Sequence, residues 1–132
     1  MTMSAKTKIL LVDDEDHIRA FLKALLRQSG DFEVIESRNG EEAVEMLRSE
    51  RPDAVMMDIN MPNLDGVAAL QKMREFDTGT VIIMLTAKAT DYAVRECMHS
   101  GASNFIRKDT PKEQIVEILR TTLADHGHGR SE

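Results

Sequence analysis

The 132-residue sequence has one cysteine, no tryptophan, one tyrosine and three prolines. A lone Cys97 excludes an internal disulfide, and with no proposed base or second thiol its expected role is structural or incidental rather than redox. Positive charge is scarce. Seventeen Lys and Arg face 23 Asp and Glu, and a net charge of −6 excludes the basic footprint that a phosphate backbone requires. No direct nucleic-acid binding is therefore expected. Long hydrophobic runs are missing too: Ile9–Val12 and Val81–Leu85 fall far short of the roughly 20 residues that cross a bilayer. The N-terminus has no apolar stretch of signal-peptide length, and the cytoplasm is the expected compartment.

Hydrophobic residues make up 42% of the chain, enough for one proper core, so a single domain over 1–132 is expected with its core at about 7–124. Residues 1–6 and Asp125–Glu132 carry no usable periodicity and are expected to fray. Five short apolar runs alternate with segments of helical spacing, the pattern of βα units around a parallel sheet. The strands are expected at Lys8–Val12, Phe32–Ser37, Ala54–Met57, Thr80–Leu85 and Asn104–Arg107, the second at an edge because charges interrupt it.

The first helix, about Glu15 to Gln28, should bury Ile18, Phe21, Leu22, Leu25 and Leu26. The second starts near Asn39 or Gly40 and stops before Arg51-Pro52; the third runs from about Leu64 to Glu75 with Val67, Leu70 and Met73 inward; the fourth spans about Thr90 to His99. Thr110-Pro111-Lys112-Glu113 predicts the fifth helix start, with threonine as N-cap, proline in the first turn and glutamate closing a capping box. Ile115, Ile118, Leu119 and Leu123 would form its buried stripe.

Chemistry-bearing residues gather at the strand ends. Asp13 and Asp14 follow the first strand, Asp58 the third, Thr86 the fourth and Lys108 the fifth, all at the carboxyl edge where open α/β sheets bind ligands. With strand order 2-1-3-4-5, Asp13, Asp14 and Asp58 converge on the switch point between strands one and three. Three gathered carboxylates repel, and a hard divalent cation relieves them; Mg²⁺ suits such a site because it shares carboxylates with phosphate oxygens and water. An EF-hand lacks its acidic loop here, and zinc lacks spaced His or Cys ligands. Lys108 and Thr86 are suited to stabilise a transferring phosphoryl group, and a carboxylate can be its nucleophile. Asp58 is the best-placed acceptor.

The segment Met57-Asp58-Ile59-Asn60-Met61-Pro62-Asn63-Leu64-Asp65-Gly66 resembles the acceptor segment of two-component response-regulator receiver domains. Leu11-Val12-Asp13-Asp14-Glu15 resembles their acidic segment, and Leu85-Thr86-Ala87 and Phe105-Ile106-Arg107-Lys108, after Ser100-Gly101-Ala102, resemble the other two signatures. The resemblance covers about residues 7–124 and implies a doubly wound (βα)5 flavodoxin-like fold. It implies that Asp58 takes a phosphoryl group from a sensor histidine kinase or histidine phosphotransfer protein, with Asp14, Asp58 and the Asn60 carbonyl ligating Mg²⁺ and Asp13 acting through water. Thr86 and Lys108 would hold phosphoryl oxygens, Phe105 would follow Thr86 as a switch, and the helix 4–strand 5–helix 5 face would signal to a downstream protein target. Any catalysis would concern its own Asp58 only. Asn60 and Lys88 would flank the site and tune water access.

Two departures stand out. Many such domains place proline after the lysine, whereas Asp109 follows Lys108 here; a cis bond before a non-proline costs about 2.5–4 kcal/mol, so a trans bond is expected. Lys-Asp-Thr-Pro resembles the variant found in regulators with a helix-turn-helix output domain, which leaves open that the chain is the receiver half of a longer DNA-binding or enzymatic regulator. Phe105 also lacks the phenolic hydroxyl of many relatives. A haloacid-dehalogenase-type phosphatase would need a second acid where Asn60 stands, and a flavodoxin-type flavin carrier would have to seat an anionic phosphate on Asp13 and Asp14.

Plain structural roles are expected for other residues. Glu15 and Asp16 suit the first helix's dipole, Asp65 and Gly66 the start of the third helix, and Met56, Met57 and Met84 the core. Met61 is expected exposed near the phosphate, His17 on a helix surface, His126 and His128 in the disordered tail, and Tyr92 and Arg95 on a partner-facing helix.

Overall fold

The structure is a computed structural model that describes residues 6–61, 64–87 and 90–127. Strands β1 (Thr7–Val12), β2 (Phe32–Ser37), β3 (Ala54–Asp58), β4 (Val81–Thr86) and β5 (Asn104–Arg107) alternate with helices α1 (Asp16–Gln28), α2 (Gly40–Glu50), α3 (Gly66–Phe76), α4 (Asp91–His99) and α5 (Lys112–Thr122). A π-helical turn, Leu123–Gly127, prolongs α5. All strand pairs are parallel, in the order β2-β1-β3-β4-β5, which is the expected flavodoxin-like arrangement with β2 at one edge and β5 at the other.

Alternation along the strands divides the core in two. Ile9, Leu11, Met56, Ile83 and Leu85 face one side and meet Leu22 and Leu26 of α1 and Ile115 and Leu119 of α5. Leu10, Val12, Val55, Met57, Ile82 and Met84 face the other, against Ala43 and Leu47 of α2, Leu70 and Met73 of α3 and Cys97 of α4. Both faces of β1, β3 and β4 are covered, which is why these strands are nearly continuous in apolar residues. Each fully buried Leu or Ile side chain contributes about 1.5–3 kcal/mol from burial.

Three helices start on side-chain caps. Asn39 accepts from the Glu42 N–H at 2.8 Å, Asp65 from the Ala68 N–H at 2.8 Å and Thr90 from the Ala93 N–H at 3.1 Å. The fifth start differs from the expected capping box: Pro111, not Thr110, occupies the N-cap and makes no side-chain cap, so Glu113 stands one position too early. The Pro111 carbonyl accepts the Gln114 and Ile115 N–H groups, while the Thr110 N–H closes a turn onto the Arg107 carbonyl. The local motif was compatible with either start, and the turn over Lys108 and Asp109 selected the later one.

Three further expectations need correction. Phe21 is 48% exposed, because the buried arc of α1 runs through Ile18, Leu22, Leu25 and Leu26 and Phe21 lies just beyond it. Met61 is buried, folded back into the α2–α3–α4 core. Thr80 precedes β4 rather than opening it, since its hydroxyl donates to Asp77 at 2.6 Å in the preceding turn. The described residues contain no cis peptide bond, so Lys108–Asp109 is trans. His17 is exposed, as expected, and Cys97 is buried. Pro62, Asn63, Lys88 and His128, with most of both termini, lie outside the described residues.

Candidate functional site

Parallel strands all end at one edge of the sheet, so residues that close or follow β1, β3, β4 and β5 must meet there. Register sets how closely they do: Val12 pairs with Met57, Asp58 with Leu85 and Thr86 with Arg107. Backbone hydrogen bonds carry the order past the strand ends. The Ile59 N–H donates to the Leu85 carbonyl at 2.9 Å, the Lys108 N–H to the Thr86 carbonyl at 2.8 Å, and the Asp13 N–H to the Ser37 carbonyl at 3.2 Å.

Gly66 brings the chain after β3 back against the site. Its N–H donates to the Ile59 carbonyl at 2.8 Å, and a Cβ there would lie 2.2 Å from the Asp58 carbonyl oxygen. Only glycine fits this approach. Asp65, one residue earlier, caps α3, so both residues shape this turn as expected.

Lys108 stands at the centre. Its Nζ is 3.0 Å from Asp13 Oδ2, 3.1 Å from Asp58 Oδ2 and 3.2 Å from Glu15 Oε1. Asp13, Asp14 and Asp58 each offer one carboxylate oxygen within 4.8 Å of the others, the one such acidic group of three among the described residues. Asp13 and Asp58 are buried and Asp14 is exposed. Three carboxylates thus crowd one ammonium, with Asp14 beside two of them, and burial of Asp13 and Asp58 makes uncompensated negative charge costly.

The protonation equilibria register that crowding. Burial pushes the Asp58 carboxyl up to about 6; Lys108 opposes the rise and the Asp13 charge adds to it. Burial disfavours the Lys108 cation, but the surrounding Asp13 and Asp58 carboxylates outweigh it and push its pKa up to about 12. The Asp58 carboxylate also accepts the Asn60 N–H at 3.1 Å, and Asp13 Oδ1 accepts the Glu15 N–H at 2.9 Å. Asp13 Oδ2 is buried and receives no well-directed hydrogen bond; Lys108 Nζ, 3.0 Å away, compensates its charge.

This donor set fits a divalent oxygen-binding cation: hard carboxylates, one buried oxygen lacking a directed donor, and excess negative charge. Thr86 is buried at the end of β4. Phe105 is half-buried on β5 opposite Met84, two residues before Thr86 on the same face of the sheet, so the two are diagonal neighbours. Asn60 is exposed beside Asp58.

Two contributors escaped the sequence reading. Glu15, expected to serve only the helix dipole, reaches Lys108 across 93 positions of sequence, and no local signal announces that contact. Arg19 donates to the Asp13 carbonyl at 2.6 Å. Its spacing from the aspartates was visible, but a helix-surface arginine was equally compatible with it.

Comparison with known proteins agrees with this geometry. Residues 9–120 match the response regulator receiver domain family. The chain is 38% identical over 117 residues to the chemotaxis protein CheY of Bacillus subtilis, covering 88% of this chain and 97% of that one. It is 36% identical over 121 residues to the regulatory protein AtoC of Escherichia coli, covering 92% of this chain but only 26% of AtoC. Among solved structures, the Vibrio cholerae chemotaxis protein CheY4 superposes with a TM-score of 0.82 at 29% identity, covering 90% of this chain and all of that one. The BeF3-activated N-terminal receiver domain of Klebsiella pneumoniae RstA does so with a TM-score of 0.82 at 31% identity, covering 88% and 97%. With its strand order, its acidic edge and these matches, the chain belongs to the response regulator receiver family, the signalling domains of two-component systems.

Proposed function

We propose that this receiver is a Mg²⁺-dependent switch that takes a phosphoryl group on Asp58 from a sensor histidine kinase or a histidine phosphotransfer protein. The observation that carries the reading is the position of Asp58: buried at the end of β3, 3.1 Å from Lys108, with Asp13 and Asp14 in ligating range. An Asp58 carboxylate oxygen would attack the phosphorus of a phosphohistidine; the new P–O bond forms as the P–N bond breaks, and the imidazole nitrogen keeps the bonding pair. With a pKa of about 6, Asp58 is ionised and nucleophilic at neutral pH.

Asp14, Asp58 and the Asn60 carbonyl would hold Mg²⁺, with Asp13 acting through bound water. When bound, the ion would neutralise the crowded carboxylates and the phosphoryl oxygens. Lys108 would exchange part of its present ion pairing for a phosphoryl oxygen, and Thr86 would donate its hydroxyl to another. Phe105, diagonal to Thr86, would follow it, and the α4–β5–α5 face would present the change to a target protein. The domain would span residues 1–132 as one unit with its core at 7–124, act in the cytoplasm and turn over no substrate besides its own phosphoryl group.

The coverage of AtoC supports a second reading, in which the same receiver is the front part of a longer regulator; the near-complete coverage of CheY supports the stand-alone form. The encoded reading frame separates them. For the chemistry, incubation with acetyl phosphate and Mg²⁺ should add one phosphoryl mass to the intact protein, and Asp58→Ala should abolish the addition. Full labelling of Asp58→Ala would remove Asp58 from this role.

A further inference from the structure

We propose that Arg19 is a positioning residue for the acidic turn: it sets the orientation in which Asp13 and Asp14 receive a divalent cation. The inference rests on the Mg²⁺ reading of the pocket and assigns a part to a side chain outside it.

The Arg19 side chain is only 11% exposed, and its guanidinium reaches three groups at once. Nη1 donates to the Asp13 backbone carbonyl at 2.6 Å, Nε to Glu36 Oε1 on β2 at 2.9 Å, and Nη2 to Asp16 Oδ1 at 2.7 Å. The Asp13 carbonyl belongs to the peptide unit that joins Asp13 to Asp14. It lies just past the end of β1, so holding it fixes the plane from which the Asp14 side chain departs. On its other flank, the Asp13 N–H is tied to the Ser37 carbonyl, again on β2. The Asp13 side chain spends Oδ1 on the Glu15 N–H, which leaves Oδ2 as the oxygen turned towards Lys108.

Edge strand β2 therefore reaches the metal pocket through Glu36 and Arg19. Lys23 holds the second Glu36 oxygen at 2.7 Å, so two cations, Arg19 and Lys23, face two carboxylates, Glu36 and Asp16. That local balance makes the contribution of Arg19 one of direction more than of net field. A planar guanidinium can deliver donors along three directions; a lysine ammonium at the same place keeps the charge but loses the fork. Groups that orient ligating residues typically change metal affinity 10–100-fold when altered.

The test compares Arg19→Lys, Arg27→Ala at an exposed arginine in the last turn of α1 outside this network, and wild type, all verified as folded by circular dichroism. Mg²⁺ affinity is measured by calorimetry, and the amide resonances of Asp14 and Glu15 are followed by NMR without metal. Arg19→Lys should weaken Mg²⁺ binding roughly 10-fold or more and move both amides in the metal-free protein, whereas Arg27→Ala should leave affinity and amides unchanged. A role confined to stability would lower the unfolding midpoint while the folded protein kept its affinity. Wild-type affinity in Arg19→Lys, or equal weakening in Arg27→Ala, overturns the proposal. Should Arg19→Lys fail to fold, Glu36→Gln, which loosens the same anchor from β2, carries the same expected and overturning results. Absence of Mg²⁺ binding by the wild type would instead overturn the metal reading, whatever the amides do.

Discussion

Replacing Asp58 by asparagine should make the metal-free protein more stable at neutral pH, although it removes the proposed acceptor. The folded carboxyl sits at about 6 against an ordinary 3.8, so its ionised form in the fold is disfavoured by about 3 kcal/mol. The attraction to Lys108 is already contained in that shift, so removing the charged carboxylate gives a net gain of about 3 kcal/mol. Because the folded carboxyl keeps its proton to higher pH than the unfolded one, the folded state binds more protons between about pH 4 and 6. Wild-type stability therefore falls as pH rises through that window, and the advantage of Asp58→Asn grows over the same range.

Urea unfolding in EDTA should show Asp58→Asn more stable at pH 7.5 by about 3 kcal/mol, equivalent to roughly 9–15 °C in melting temperature, and nearly level with wild type at pH 4. Mg²⁺ at 100 times its Kd should add about 2.7 kcal/mol to the wild type and less to the variant, closing the gap. A variant no more stable than wild type at pH 7.5 in EDTA, or an advantage equal at pH 4 and 7.5, would refute the assignment of the strain to a buried, crowded carboxylate.

Three other substitutions test the framework. Gly66→Ala places a Cβ 2.2 Å from the Asp58 carbonyl oxygen and 2.8 Å from Ile59 Cα, both backbone atoms that cannot rotate away. It should lower the urea-derived stability by about 2–3 kcal/mol or more, and a neutral result would contradict the tight turn. Asp65→Ala removes a side-chain cap and should cost about 1 kcal/mol, whereas Thr110→Ala should stay within about 0.5 kcal/mol because Thr110 caps nothing; equal losses would restore the capping box. Phe21→Ser, at a half-exposed position of α1, should cost about 1 kcal/mol, and a core-sized loss of about 3 kcal/mol or more would place Phe21 back in the buried stripe.

The divided legibility of the site follows from the physics of its parts. Asp13, Asp58, Thr86 and Lys108 were readable because each stands at the end of an apolar run, and a parallel sheet carries all such ends to one edge whatever the detailed packing. The rotation of a helix about its axis is less readable. Phe21 fits the apolar periodicity of α1, yet an arc set by contact with β1, β2 and α5 leaves it about half exposed. Met61 reads as part of a solvent-facing loop, but the return of the chain through Gly66 folds it inward.

Chain order and residue type by themselves thus determined the parallel architecture and the gathering of acid, hydroxyl and ammonium at one edge. Both depend on local periodicity and on the direction in which strands end. Only the tertiary structure decided that Lys108 gathers Glu15 with Asp13 and Asp58, that Asp13 keeps one buried oxygen without a directed hydrogen bond, and that Arg19 ties the Asp13 carbonyl to β2. These contacts join residues from different elements at separations of about 3 Å, and such distances are set by how the helices seat on the sheet.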